Sequence, residues 1–231
     1  MADLAGRVSR IAALADPVRR ALYEFVVAQH EPVSREAAAS GVGVPLHTAK
    51  FHLDRLVDDG LLVTHSRRLT GRTGPGAGRP AKLYERAPGE VAVSLPARHY
   101  DLAGHLLAGA IEASVREGVP VDDALHALAA AHGAAAGSAA TAGSAATAGS
   151  EALAQAYAAL EAEGYEPRLE GRQIVLANCP FHVLAADHTD LVCRMNLALV
   201  GALGAATGGG RLEARLDPQP GRCCVVVTAT S

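Results

Sequence analysis

The sequence predicts an α+β chain in two parts: a helical N-terminal module closed by a basic hairpin, and a small antiparallel α+β module that carries every cysteine. Three observations lead there. Apolar residues recur at helical spacing up to Gly60 and alternate like strands just beyond it. Charge is divided: residues 1–90 hold 13 Lys and Arg against 10 Asp and Glu, and residues 91–231 hold 8 against 14. All four cysteines stand in the last 53 positions, with none in the first 178.

A chain of 231 residues that is 49% hydrophobic has material for one or two packed cores. No run of 18 apolar residues is free of charge, Gly or Pro, so no membrane span is expected. The start, MADLAGRVSRIAALADPVRR, lacks a basic-then-apolar export pattern, and a cytoplasmic location is expected. Thiols stay reduced there, so clustered cysteines point to metal, redox chemistry or chance rather than to disulfides.

Taken in order, DLAGRVSRIAALAD spaces Leu4, Val8, Ile11, Ala12 and Leu14 as a helix does. DPVRRALYEFVVAQ opens with Asp16 as N-cap and Pro17 at the first helical position, and buries Leu22, Phe25 and Val26. SREAAASG begins on a capping Ser34, and Gly41 is expected to take the left-handed stop. LHTAKFHLDRLVDDG then puts Ala49, Leu53, Leu56 and Val57 on one face, leaving His47, Thr48, Lys50, Phe51, His52 and Arg55 largely on others. Two short helices about a tight turn, the second polar and basic at its start, make a helix-turn-helix. The first turn of that second helix is what enters a major groove, and its amide ends can approach phosphate.

LLVTHSRR alternates like a strand, and RPAKLYERA can return beside it across TGRTGPGAG. The result is a wing whose Arg67, Arg68, Arg72, Arg79 and Lys82 can lie along the backbone of double-stranded DNA, adding affinity and salt dependence rather than specificity. The phosphate-binding pattern GxxxxGK[ST] is absent, which disfavours a nucleotide loop. A winged helix that binds protein instead of DNA is the alternative, and His47 and His52 can equally be surface cover. DPVRRALYEFV, HTAKFHLDRLVDDGLL and GRPAKLY together resemble the winged-helix regulators of the ArsR-like superfamily, over about residues 8–87. The cysteine-rich motif that metal-sensing members carry in their DNA-binding helices is missing.

Residues 1–90 are thus assigned to a winged helix-turn-helix domain and 91–136 to connecting helices. VAVSLP reads as an exit strand, and the helix after it lines up Leu102, Leu106, Leu107, Ala110 and Ile111. Such a helix can pair with its twin in a homodimer, matching a palindromic operator, or pack on its own C-terminal domain. Residues 137–150, where GSAATA occurs twice in tandem at 137–142 and 143–148, read as a low-complexity linker. EALAQAYAALEAEGYEP resumes an amphipathic helix with Leu153, Ala156, Tyr157 and Leu160 inward.

Residues 151–231 are assigned to a cysteine-bearing sensor domain. YEPRLEGRQIVLANCPF gives two strands about Glu170–Gly171, ending at Cys179–Pro180. HTDLVCRMNLALVGALGAATGGG gives a helix capped by Asp187 or Thr189, and RLEARLDPQPGRCCVVVTATS two more strands. Three elements thereby bring sulfur towards one region, and Asp190 and Asn196 each stand one turn from Cys193 along the same helix face. Adjacent strand residues point to opposite faces, so Cys223 and Cys224 can both join only if the chain turns at Arg222–Cys223. The spacing C-x13-C-x29-C-C is unlike a zinc ribbon. NCPF, LVCRMN and GRCC after a winged-helix front resemble the SufR group of iron–sulfur-binding repressors. That resemblance implies an iron–sulfur cluster (2Fe-2S or 4Fe-4S) on Cys179, Cys193 and Cys223, with Cys224 the candidate fourth ligand. The CC doublet departs from the group.

Structural zinc, an organic effector with incidental cysteines, and simple burial of four thiols in an Ala-rich core are the alternatives. His182 and His188 flank Cys179 and can ligate or merely be solvated. No Cys–His–acid arrangement is recognisable, so a DNA-binding regulator and not an enzyme is expected.

Overall fold

The computed structural model describes residues 4–67, 81–141 and 149–230. The chain divides at Val93–Ser94 into two units.

In the N-terminal unit, α1 (Leu4–Ala13) precedes α2 (Pro17–Val27), whose start is fixed by the Asp16 carboxylate accepting the Arg19 N–H at 2.9 Å. After the two-residue strand β1 (Val33–Ser34), the Ser34 hydroxyl accepts the Ala37 N–H at 3.1 Å and caps α3 (Arg35–Val42). α3 ends not at Gly41 but at Gly43, whose φ of 75° is the left-handed stop. Gly41 is helical and serves packing instead, since a Cβ there would stand 2.0 Å from the Phe25 ring. α4 (Leu46–Asp58) follows within a few residues and buries Ala49, Leu53 and Leu56 against α2 and α3.

Beyond Gly60, β2 (Leu62–Arg67) and β3 (Ala81–Arg86) pair antiparallel with Thr64 opposite Tyr84, and β1 adds to the other edge of β3. Leu22, Val26, Ala38, Leu53, Leu56, Leu62 and Tyr84 form one core between helices and sheet. Residues 91–96, expected as a strand, form none.

The C-terminal unit opens with α5 (Tyr100–Glu117), α6 (Val121–Ala140) and α7 (Gly149–Ala162). α5 buries Ala103, Leu106 and Ala110 within its own unit, while Ile111 is exposed, so the expected apolar face is only partly covered. α6 runs through Gly137 to Ala140, past the point where the linker was expected to begin. Residues 142–148 of that segment lie outside the described residues.

Next come β4 (Pro167–Glu170), β5 (Gln173–Leu176), α8 (His182–Asp187), α9 (Thr189–Gly208), β6 (Leu212–Leu216) and β7 (Val225–Ala229). The four strands form an antiparallel sheet in the order β4-β5-β7-β6. Neither Asp187 nor Thr189 caps α9: His188 holds the cap position without a side-chain bond, and the Thr189 hydroxyl donates back to the Ala185 carbonyl at 2.7 Å.

α9 is the central helix. Its Leu199, Val200 and Leu203 share a core with Ile174, Leu176, Val225 and Val227 of the sheet. α6 lies against it so closely that Cβ atoms at Gly133 and Gly137 would stand 2.0 and 2.7 Å from the Leu199 and Leu203 carbonyl oxygens. By length and composition α9 could cross a membrane, but half of that stretch is buried inside the unit, as in the core helix of a globular domain.

A candidate nucleic-acid surface and a candidate thiol centre

The two predicted sites belong to different units. In the first, Ala49, Leu53 and Leu56 are fully buried, and that anchoring turns the other side of α4 outwards. His47, Lys50, Phe51 and Arg55 are exposed, with Phe51 at 66% the most exposed large apolar group on the helix. Thr48 and His52 are half-buried, and the inward Nδ1 of His52 has no hydrogen-bond partner. His47, Lys50, Phe51 and Arg55 line an open groove together with Arg19, Asp54 and Asp58.

Lys82 does not stand free along the hairpin. Its ammonium donates to the Asp54 carboxylate at 2.7 Å, and the buried Tyr84 hydroxyl donates to the same carboxylate at 3.0 Å. Arg35 donates to that hydroxyl at 3.4 Å. Burial opposes ionisation of Asp54, but the bonds from Lys82 and Tyr84 outweigh it and hold the carboxyl below its ordinary value. The network fixes the roll of α4 against β3. Arg55 pairs with Asp59 at 3.1 Å and Arg67 with Glu31 at 3.6 Å. Among the described residues, Lys50 has no ion pair, and it is the cation of α4 most available to an incoming anion. Arg68, Arg72 and Arg79 lie outside the described residues.

Sequence reading missed Arg19 and the acidic Asp54 and Asp58 on this face. Summed charge makes the N-terminal module basic, while position by position this helix is mixed.

In the second unit the four cysteines are free thiols. Cys179 follows the end of β5, and Cys193 sits in the first turns of α9. Cys223 and Cys224 lie in a bend before β7, not within it. The Cys223 N–H donates to the Leu176 carbonyl at 2.8 Å, and the Cys224 carbonyl accepts the Asp217 N–H at 2.6 Å. The condition for both doublet cysteines to take part is therefore met: the chain turns at Arg222–Cys223. Thiols meet in a linked series, Cys179 with Cys223, Cys223 with Cys224, and Cys224 with Cys193.

One polar chain reaches the series from behind. The buried Tyr165 hydroxyl donates to Asn196 Oδ1 at 2.5 Å, and Asn196 Nδ2 donates to Cys223 Sγ at 3.2 Å. Helical spacing placed Asn196 one turn from Cys193 on the same face; in the structure it is buried and its bond goes to Cys223. Asp190, expected on the same face as Cys193, is instead exposed and paired with Arg194 at 3.0 Å. His182 and His188 are exposed.

The hydrogen bond from Cys223 and burial push the Cys179 thiol far above the ordinary range. Cys223, which its bond with Cys179 would lower, is pushed up to about 11 by its bond with Cys224 and by burial. Burial raises Cys193. Nearby Arg98 favours the Cys179 thiolate only weakly against these effects, so Cys179, Cys193 and Cys223 are neutral thiols at neutral pH.

Among the described residues no group of three or more His, Cys, Asp and Glu side chains is arranged to clasp a single metal ion. The sulfurs are joined pairwise in the series above. As a donor set, four sulfurs with no carboxylate among them suit thiophilic iron or zinc, and an N–H on one sulfur is a contact that tunes iron–sulfur centres.

A family model described as a helix-turn-helix domain matches residues 14–65, from just before α2 to β2. The N-terminal unit therefore carries a helix-turn-helix domain, with α3 and α4 as its two helices. Searches of curated proteins and of solved structures returned no match.

Proposed function

We propose that this chain is a homodimeric, cytoplasmic transcription regulator, a repressor and not an enzyme. Its helix-turn-helix binds double-stranded DNA, and its C-terminal thiols hold an iron–sulfur cluster. The observation that carries the sensing half is the meeting of four thiols from three separate elements in one linked, largely buried series. Packing alone does not call for sulfur at each of those positions, nor for a buried amide aimed at one of them. The DNA-binding half rests on the domain match and on the exposed Lys50, His47 and Arg55 of α4. The β2–β3 hairpin acts as the wing in this reading.

An iron–sulfur centre bound by thiolates supplies a charge and a bond set that change with iron supply and oxidants. The protein's part is to hold Cys179, Cys193, Cys223 and Cys224 in reach and to donate the Asn196 N–H to Cys223. Zinc and an organic effector are the readings that the same experiment distinguishes.

That experiment is an absorption spectrum with iron and zinc analysis of protein purified without oxygen, alongside selection of a duplex from a random-sequence pool. Sulfur-to-iron charge-transfer bands that Cys179→Ser and Cys193→Ser abolish are the expected result. A colourless protein with one zinc per chain makes the site structural. A protein without metal after anaerobic reconstitution refutes the sensing half, and failure to select any duplex refutes the DNA-binding half.

A further inference from the structure

The stretch Ser94–His99, which continues directly from the end of the N-terminal unit, is bound to the loop that carries Cys179. The Arg98 guanidinium donates to Asn178 Oδ1, to the Cys179 carbonyl at 3.2 Å and to the Ala97 carbonyl at 3.1 Å. Asn178, only 6% exposed, uses its amide fully, donating at 3.1 Å to both the Ala97 and Gly164 carbonyls. The His99 N–H donates to the Pro180 carbonyl at 3.1 Å, and the Arg98 N–H closes a turn on the Ser94 hydroxyl at 2.9 Å. The fit is close: at Gly164, where φ is 76°, a Cβ would stand 2.5 Å from the His99 ring. Cys179 is thus held twice, its backbone by Arg98 and its sulfur by Cys223.

We propose that Arg98 and Asn178 are positioning residues that carry the state of the thiol centre into the interdomain segment. This deepens the regulatory reading above and rests on it. The physical requirement for coupling is a contact that differs between two states of one element. When Cys179 releases its thiol proton to solvent and exchanges its contact with Cys223 for a bond to iron, the direction of its Cα–Cβ bond changes and the Cys179–Pro180 backbone shifts with it. The two carbonyls of that backbone are acceptors for Arg98 and His99, so the shift alters how firmly Ser94–His99 is held. That segment is the chain's only covalent route to the DNA-binding unit.

The test compares duplex affinity of full-length protein loaded anaerobically with ferric iron, sulfide and a thiol reductant and of the same protein stripped by chelation. The duplex is one that wild type selects from a random pool. Wild type is expected to show a loaded-to-stripped affinity ratio of about 5–150-fold in either direction. Arg98→Met is expected to keep the visible absorption and bring the ratio close to one. Arg172→Met, which loses bonds to the Ala229 and Thr230 carbonyls away from the thiols, keeps the wild-type ratio. Hydrogen exchange of the His99 amide in wild type, which needs no variant, is expected to differ between loaded and stripped protein. An unchanged ratio in Arg98→Met with intact absorption overturns the proposal, as does identical His99 exchange in the two forms. Wild type that takes up neither iron nor zinc, or selects no duplex, overturns the underlying regulatory reading and the coupling with it. If zinc loads in place of iron, the same ratio and exchange are read with zinc.

Discussion

Replacing Gly133 by Ala and Gly104 by Ala should move stability in opposite directions, although both glycines sit inside helices. In an exposed helix interior Gly→Ala gains about 0.5–1 kcal/mol, because the unfolded chain loses freedom and the helix gains propensity. Gly104 of α5 is exposed with nothing within 4 Å of an added Cβ, so the full gain is expected. At Gly133 the same methyl would stand 2.0 Å from the Leu199 carbonyl oxygen and 2.8 Å from its carbon. Carbon and oxygen settle at roughly 3.3 Å or more, so α6 and α9 would have to part by more than an ångström. A helical carbonyl cannot rotate away.

Overpacking of this kind costs about 1–3 kcal/mol and more when backbone must move. The helix gain offsets only part, leaving a net loss of about 1–2 kcal/mol. In a domain of this size that lowers Tm by roughly 3–8 °C, while Gly104→Ala raises it by about 2–4 °C. Since α9 also carries Cys193, the proposed metal-holding role predicts that Gly133→Ala reduces metal retention and Gly104→Ala does not. Thermal and denaturant unfolding with metal analysis of each variant read all of this. A Gly133→Ala protein as stable as Gly104→Ala would refute the close approach of the two helices.

Three further outcomes are expected. Lys50→Ala should weaken duplex binding and reduce the slope of log K against log salt by about 0.9, the share of one phosphate contact, with the absorption spectrum unchanged. Asn196→Leu should cost about 1–3 kcal/mol by leaving the buried Tyr165 hydroxyl without its acceptor, and adding Tyr165→Phe should recover part of the loss in denaturant unfolding. In metal-free protein, Cys223 titrates at about 11 in place of 9.0, so from about pH 9 upwards the unfolded chain binds fewer protons than the native one. Unfolding then releases a proton, so stability should fall as pH climbs from about 9 to about 11, by about 2–3 kcal/mol in all, and Cys223→Ala should flatten that part of the curve of midpoint against pH.

The helix starts of the N-terminal unit were legible because their caps are local: Asp16 and Ser34 bond to amides three residues on. The stop of α3 was not. Gly41 and Gly43 are equally able to end a helix, and only the distant Phe25 ring decides that Gly41 stays inside it. The same limit hid the role of Gly137. GSAATA reads as filler because it has no large side chain, yet small size is what an approach to the α9 backbone demands. At the thiol centre the residue set was legible and its linkage was not. Regular alternation would separate Cys223 from Cys224. The bend that unites them is set by the Leu176 carbonyl, 47 positions before Cys223, and by Asp217. On α4, residue types gave the exposed face, while the pairings of Lys82, Arg55 and Arg67 depend on which acids the fold brings beside them.

The elements that bear the thiols differ in how far they can yield, and that difference directs any change at the centre. Cys193 rides on α9, which is locked from behind by the Gly133 and Gly137 contacts and in front by the sheet. Cys179, Cys223 and Cys224 stand in loops held by a few separate hydrogen bonds instead of a continuous helical ladder, with Cys179 and Cys224 only half-buried. Four sulfurs rearranged from pairwise contact to a shared metal group must move relative to one another, and the displacement falls on the softer supports. It therefore goes to the Cys179 loop, and through Arg98 and His99 to Ser94–His99, more than to α9. Hydrogen exchange of loaded and stripped protein should differ at residues 178–182, 222–224 and 97–99 and agree along 195–205. Differences concentrated along α9 instead would mean that the helix, not the loop, carries the response.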